Sequence, residues 1–247
     1  MPPMDSVDPK PCVDCQQLFA PTFIMAFDKP CFVSHRCDDC DSKLAAAQAQ
    51  EAITAEETAK SNAWNALTPK IYRESDTTRF PKKLQQLVAA FDPTEDRGFG
   101  FSGRAGSCKT RAAYEMLKVA HFAGRSCVSI DGVRFGALSI DQFDDTPLRG
   151  YINLDGHKKT IGTEAKDKLR RLARVDWLLL DDIDKGKFTP RAEEALFSLL
   201  EIRTSNGRPT IWTCNSNASA LAGLFGAERG DAILRRLVEF ADVVALG

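Results

Sequence analysis

The run Gly103-Arg104-Ala105-Gly106-Ser107-Cys108-Lys109-Thr110 carries the residue types of a phosphate-binding loop. It fits G-x-x-x-x-G-K-T at every fixed position except one, since Cys108 stands where the last glycine belongs. In such a loop, backbone N–H groups at a helix N-terminus wrap a β-phosphate. The lysine, here Lys109, reaches the β and γ oxygens, and the hydroxyl, here Thr110, ligates Mg2+. The chemistry on offer is binding of ATP with Mg2+. About 70 residues downstream, the apolar run "VDWLLLDD" ends in Asp181 and Asp182. The first acid suits the Mg2+ shell, and the second is placed to polarise an attacking water. Alone, such a pair reads better as a helix cap or turn; with the loop upstream it reads as catalytic.

Two further features follow in order. The run "PTIWTC" leads into Asn215, an amide able to hold a water or a γ-phosphate between loop and acid. Asn217 is the second choice, and a turn-forming asparagine is the plain alternative. Arg235 and Arg236 lie in "DAILRRLVEF". There an arginine can project at a neighbouring subunit's γ-phosphate, or form a surface ion pair.

A separate chemistry sits at the N-terminus. Five of the eight cysteines fall between Cys12 and Cys40. Cys12-x2-Cys15 and Cys37-x2-Cys40 are two knuckles separated by 21 residues, the arrangement that closes a tetrahedral Zn2+ site. Cys31 and His35 are nearby donors, and either could replace one of the four. A four-ligand site holds structure and leaves no open position for catalysis. Its use is as a docking or nucleic-acid-touching module.

These residues need elements to position them. Residues 1–41 are short of aliphatic side chains and could not build a core without a staple. Residues 42–67 are rich in Ala, Glu and Gln without Gly or Pro, which predicts a helical linker ending near Thr68-Pro69. From residue 68 onward, strand and helix signals alternate. "LQQLVAAF" reads as helix, "GFGFS" as a buried strand entering the loop, and "RAAYEMLKVAHFA" as an amphipathic helix. "SCVSI" and "VDWLLLDD" read as strands, "RAEEALFSLLEIRT" as helix, "RPTIWTCN" as strand, "DAILRRLVEF" as helix and "ADVVAL" as the last strand. This alternation predicts a parallel sheet covered by helices on both faces. Residues 141–160 are polar and read as a surface excursion. In "AKDKLRRLAR", Lys166, Arg170 and Arg174 recur every four residues, as a solvated helix face or a DNA-contacting patch.

Composition narrows the class. The chain has 247 residues, 43% hydrophobic and 27% charged, with net charge −1. That size allows one substantial α/β domain plus a small appendage. No global basic field advertises nucleic acid, so any DNA contact must be local. No apolar run is long enough to span a membrane and "MPPMDSVDPK" lacks a signal-peptide core, which predicts a cytoplasmic protein without a membrane partner.

Loop, "LLLDD", Asn-ended strand and "LRRL" occur in an order and at spacings that resemble an AAA+ ATPase. More narrowly, residues 68–247 resemble the DnaC/DnaI/IstB group of bacterial and phage helicase loaders and transposition helper ATPases. The phrases "PKIYRESDTTRFP", "LFSLLEIRTSNGRPTIWTCN" and "ILRRL" carry much of the likeness. The resemblance implies a P-loop NTPase sheet without a C-terminal helical lid, preceded by a small zinc domain and a helical linker. It implies ATP and Mg2+ as cofactors beside Zn2+, homo-oligomers on ATP binding, and delivery of a DnaB-type replicative helicase onto single-stranded DNA in a bacterial or phage-infected cell. Carried over by motif, Lys109 binds phosphate, Thr110 and Asp181 hold Mg2+, Asp182 orients water and Asn215 is the sensor. Arg236 is the first choice of trans-acting arginine and Arg235 the second. Asp182 stands where most AAA+ ATPases have Glu. Two alternatives stay open: a transposition helper of the IstB type, and a zinc-domain scaffold that holds ATP with little turnover.

Overall fold

The computed structural model describes residues 8–26, 29–152, 158–216, 220–221, 223–226 and 229–246, with the side chains of residues 23–33 and 149–158 outside that description. The chain divides into two compact units, residues 1–61 and 62–247.

In the first unit, β1 (Lys10–Pro11) pairs antiparallel with β2 (Leu18–Phe19), and β3 (Phe23–Ala26) with β4 (Lys29–Val33). The turn between β1 and β2 carries Cys12 and Cys15 and is closed by Gln16 in the left-handed region, φ 62°. Gln16 N–H bonds the Cys12 carbonyl at 3.0 Å, and Cys12 N–H bonds Gln17 at 2.9 Å. Among the described side chains of this unit, only Cys12 and Pro21 are buried, so packing alone does not hold it.

Helix α1 (Asp38–Leu67) begins four residues earlier than its composition predicts and stops directly before Thr68-Pro69, as expected. Asp38, Asp39 and Asp41 occupy its first turn, where the helix dipole favours acids. Cys40 therefore sits in a helical turn, three residues on from Cys37, rather than in a free-standing knuckle.

The second unit is built on a five-stranded parallel sheet. The chain runs through α2 (Lys82–Ala89), β5 (Gly98–Gly103), α3 (Lys109–Phe122), β6 (Cys127–Asp131) and α4 (Gly132–Asp141). An antiparallel pair follows, β7 (Pro147–Ile152) with β8 (Lys158–Thr160), inside the stretch expected to be a surface excursion. Then come α5 (Ile161–Arg174), β9 (Trp177–Asp181), α6 (Pro190–Ser205), β10 (Thr210–Cys214), α7 (Gly230–Glu239) and β11 (Ala241–Leu246). The strand order is β11-β5-β10-β9-β6, with every pairing parallel.

Alternation along the strands splits the core into two layers. Phe99, Phe101, Leu179 and Ile211 face α3, where Ala112, Ala113, Met116, Leu117 and Ala120 are buried, together with Leu84 of α2. Leu178, Leu180, Trp212 and Cys214 face the other way, toward Leu196, Leu199 and Leu200 of α6 and Ile233 and Leu237 of α7. Gly100 is required here, because a Cβ would sit 2.2 Å from the Trp212 ring.

One charged side chain pins the base of this sheet. Arg203, in α6, is fully buried and donates to the carbonyls of Leu172, Val175, Asp176 and Pro209 and to Thr210 Oγ1, at 2.5–3.1 Å. Burial pulls its pKa down, while these five acceptors hold the planar donor fork. Arg203→Met should cost about 3 kcal/mol or more, because it leaves buried carbonyls unpaired. Urea denaturation checks this, and a change below about 1 kcal/mol would show that the carbonyls find other donors.

Candidate nucleotide and metal sites

The glycine loop leaves the C-terminal end of β5, the edge of a parallel sheet where open α/β folds bind ligands. Gly103 has φ 137°, and a Cβ there would meet the Leu246 carbonyl oxygen at 1.9 Å. Gly106 has φ 84° and Cys108 φ 64°. Position 108 thus adopts the left-handed conformation that favours glycine, and cysteine holds it at a cost of about 1–2 kcal/mol. Cys108→Gly should tighten ATP binding or leave it unchanged in calorimetric titration. A clear loss of affinity would show that the thiol contributes contacts.

Helix α3 starts at Lys109, so the loop presents N–H groups that have no partner within the helix. Lys109 is 4% exposed, and its ammonium donates to the carbonyls of Gly103 and Arg104 at 2.7 and 2.8 Å and to Ser107 Oγ at 3.3 Å. Burial lowers its pKa, and the field of Asp182 opposes that shift. A buried ammonium held only by neutral loop oxygens is a place where an anion is stabilised, which fits a phosphate.

Strands β9 and β10 bring the acids and the amide to the same edge. Asp181 Oδ1 accepts from Thr110 Oγ1 at 2.9 Å and from Thr213 Oγ1 at 2.7 Å. Burial raises the Asp181 pKa, and these two hydroxyls pull it back. No side-chain cation pairs with Asp181 among the described residues, so a divalent cation beside Thr110 and Asp181 would relieve the buried charge. Asp182 lies in the left-handed region, φ 47°, with its N–H on Thr213 Oγ1 at 2.8 Å. Its Oδ1 accepts from the Asn215 amide at 3.1 Å and its Oδ2 from Lys185 at 2.5 Å. Asp184, two residues on, accepts from Asn215 N–H at 2.8 Å and Ser216 Oγ at 2.9 Å.

Thr110, Asp181, Asp182 and Asn215 are therefore linked by direct hydrogen bonds or through Thr213, beside the lysine loop. Asn217, the second choice for the amide, lies outside the described residues. Sequence reasoning missed Thr213 and Asp184, whose roles arise only from the adjacency of β9 and β10, and Lys185, which pairs with Asp182 three residues before it. It also missed α4, because Gly132 and Gly136 weaken the helical signal. Gly132 is there for close approach, since a Cβ would lie 2.8 Å from the Asp182 carbonyl oxygen. The Asp131 side chain caps α4 by accepting Arg134 N–H at 2.8 Å, and that capping aspartate was the available signal.

The two arginines lie elsewhere. Both are in the C-terminal half of α7, Arg236 in its last turn, and the helix leads into Ala241, which pairs with Gly98 at the start of β5. The loop follows the strand's far end, roughly 16 Å away by strand rise, so neither arginine serves its own chain's loop. Arg236 forms an ion pair with Glu201, its guanidinium 4.4 Å from the Phe197 ring centroid, and its side chain is 13% exposed. Arg235 is 69% exposed and reaches Glu239 at 4.0 Å.

In the first unit, the ligand atoms of Cys12, Cys15, Cys37 and Cys40 lie within 4.8 Å of one another. Tetrahedral Zn–S bonds of about 2.3 Å set S–S separations near 3.8 Å. Cys15 and Cys37 sulfurs are 3.6 Å apart, and Cys37 N–H points at the Cys12 sulfur at 3.4 Å. Backbone N–H groups, first that of Cys15, bring the Cys12 thiol down to about 6, while the neighbouring Cys15 and Cys37 sulfurs push Cys40 up to about 12. Four thiols this close compete for negative charge, a conflict that a bound Zn2+ would resolve. His35 is turned to Lys10, Nδ1 to Nζ 3.3 Å, and is not part of the cluster. The Cys31 side chain lies outside the described residues.

The patch residues Lys166, Arg170 and Arg174 line a groove of about 560 Å3 between α5 and α6, with Arg191 opposite. No helix among the described residues is long and apolar enough to cross a membrane.

No protein-family model and no curated relative matches this sequence. Solved structures do match. The chain is similar to a crystal structure of the DnaC helicase loader at 20% identity and a TM-score of 0.52, over 72% of this chain and 100% of that one. A crystal structure of DnaI matches at 15% identity and 0.54, over 74% and 96%. A DNA replication initiation factor matches at 16% and 0.51, over 73% and 50%. The five-stranded parallel sheet, with its loop at the end of β5 and helices on both faces, has the AAA+ fold of the DnaC and DnaI structures.

Proposed function

We propose that the chain is an ATP-dependent helicase loader of DNA replication. It would work in the cytoplasm of a bacterial or phage-infected cell, with a DnaB-type helicase and single-stranded DNA as partners. The observation that carries this reading is the hydrogen-bonded set Thr110, Asp181, Thr213, Asp182 and Asn215 standing beside the buried Lys109. The likeness of fold to solved helicase loaders supports it. Three functional parts follow: a zinc module over residues 1–41, a helical linker over 42–67 and the ATPase core over 68–247.

In this reading Gly103 to Thr110 hold the phosphates, and Lys109 exchanges its loop carbonyls for phosphate oxygens. Thr110 and Asp181 hold Mg2+, which would draw charge from the leaving phosphate. Asp182 orients the water and takes up its proton, and Asn215 fixes the position of Asp182. The remaining charge is met by an arginine from a second copy in an ATP-dependent homo-oligomer. Arg236 must leave Glu201 to act in this way, whereas Arg235 need only release an exposed partner.

A scaffold reading, with ATP held and little turned over, draws on the cost of Cys108 in the left-handed region. Steady-state phosphate release separates the two. The wild-type chain with Mg2+ and ATP should exceed Lys109→Ala clearly, with and without single-stranded DNA. Equal rates in the two proteins would favour the scaffold.

A further inference from the structure

The parallel pairing of β9 with β10 runs from Thr210 against Leu178 to Trp212 against Leu180. Beyond that point the two strands lead to the acids and the amide, where side chains hold the tips together. Thr213 makes the first link, accepting from Asp182 N–H and donating to Asp181. Asp184 makes the second, and it does so from the far side of Asp182. The short 3-10 turn Ile183–Lys185 carries its carboxylate back over β10, where one oxygen, Oδ2, accepts both Asn215 N–H and Ser216 Oγ. Asn215 is thus held at its backbone by Asp184 while its side-chain amide reaches Asp182 Oδ1.

We propose that Asp184 is a positioning residue for ATP hydrolysis: its carboxylate staples the tip of β10 to the turn after β9 and so sets where the Asn215 amide stands against Asp182. The proposal rests on the ATPase reading above and adds a residue outside the loop, the acid pair and the amide. The physical basis is placement. Asn215 follows the last residue of β10, and the pairing of β9 with β10 ends two residues before that strand does. A displacement of about 1 Å in such a constellation costs on the order of a hundredfold in rate. Asp184 lies in neither the phosphate loop nor the Mg2+ pair, so binding should not depend on it.

Two substitutions in the full chain test this. Asp184→Ala removes the acceptor, whereas Asp184→Asn keeps one carbonyl oxygen able to accept both Asn215 N–H and Ser216 Oγ, as Oδ2 does now. Three quantities are read: the Kd for ATP with Mg2+, kcat for phosphate release, and site-resolved hydrogen exchange at the Asn215 amide, which needs no nucleotide. Asp184→Ala should hold Kd within about twofold, lower kcat by about tenfold or more, and speed Asn215 exchange by at least about tenfold. Asp184→Asn should recover most of both losses. Asn215 exchange that does not change in Asp184→Ala overturns the staple, as does a kcat within about twofold of wild type. Faster exchange in a protein whose wild type shows no turnover overturns the ATPase reading and with it the positioning role, leaving Asp184 a structural contact.

Discussion

Asp182→Asn is expected to bind ATP with Mg2+ as tightly as the wild type and to turn it over at least about a hundredfold more slowly. The substitution is a narrow one. Asparagine tolerates the left-handed backbone at φ 47°, so the turn after β9 survives. Its carbonyl oxygen can still accept the Asn215 amide that now reaches Asp182 Oδ1 at 3.1 Å. What disappears is the negative charge that orients a water and accepts its proton, and with it the pairing to Lys185. Loss of the exposed Lys185 pair is a small stability effect. Equilibrium titration with a non-hydrolysable ATP analogue and single-turnover phosphate release separate binding from chemistry. Turnover within about threefold of wild type would remove Asp182 from the catalytic account.

Removal of zinc should unfold the first unit. Structural zinc sites contribute roughly 10–16 kcal/mol of apparent free energy at neutral pH. The unit has little else to hold it, since Cys12 and Pro21 are its only buried side chains among those described. Stoichiometric metal by elemental analysis, followed by chelation under far-ultraviolet circular dichroism, checks this. Loss of signal on chelation and its return with Zn2+ are expected, and Cys12→Ser should mimic chelation. The second unit carries both buried layers of its own and should keep its melting transition. A protein that purifies without metal and is indifferent to chelator would contradict the zinc assignment.

Much of this arrangement was legible because the core strands and helices announce themselves by period. "VDWLLLDD" became β9, "GFGFS" became β5, and "RAEEALFSLLEIRT" became α6, each within two residues at either end. The need for an unusual backbone at position 108 could be anticipated from the glycine usually found there, and φ 64° is the outcome. Other features depend on tertiary neighbours and leave little local trace. Asp184 and Thr213 become partners of the site only when β9 lies beside β10, about 30 residues later in the chain. Glu201 captures Arg236 across 35 residues, which no local pattern foretells. Helix α4 hides behind two glycines that serve packing rather than helix propensity, Gly132 against the Asp182 turn and Gly136 against the Lys187 carbonyl. Helix α1 starts at Asp38, inside the segment assigned to the zinc module, because its first-turn acids suit a helix N-terminus.

The helicase-loading account is tested most directly by capture. The immobilised full chain is incubated with a DnaB-type replicative helicase from its own host, with a non-hydrolysable ATP analogue and Mg2+, without nucleotide, and in parallel as Lys109→Ala. Retention of the helicase by the wild type with the analogue, reduced at least about tenfold in Lys109→Ala, is the predicted result. Intact nucleotide binding by the wild type with no helicase retained under any nucleotide condition would contradict it.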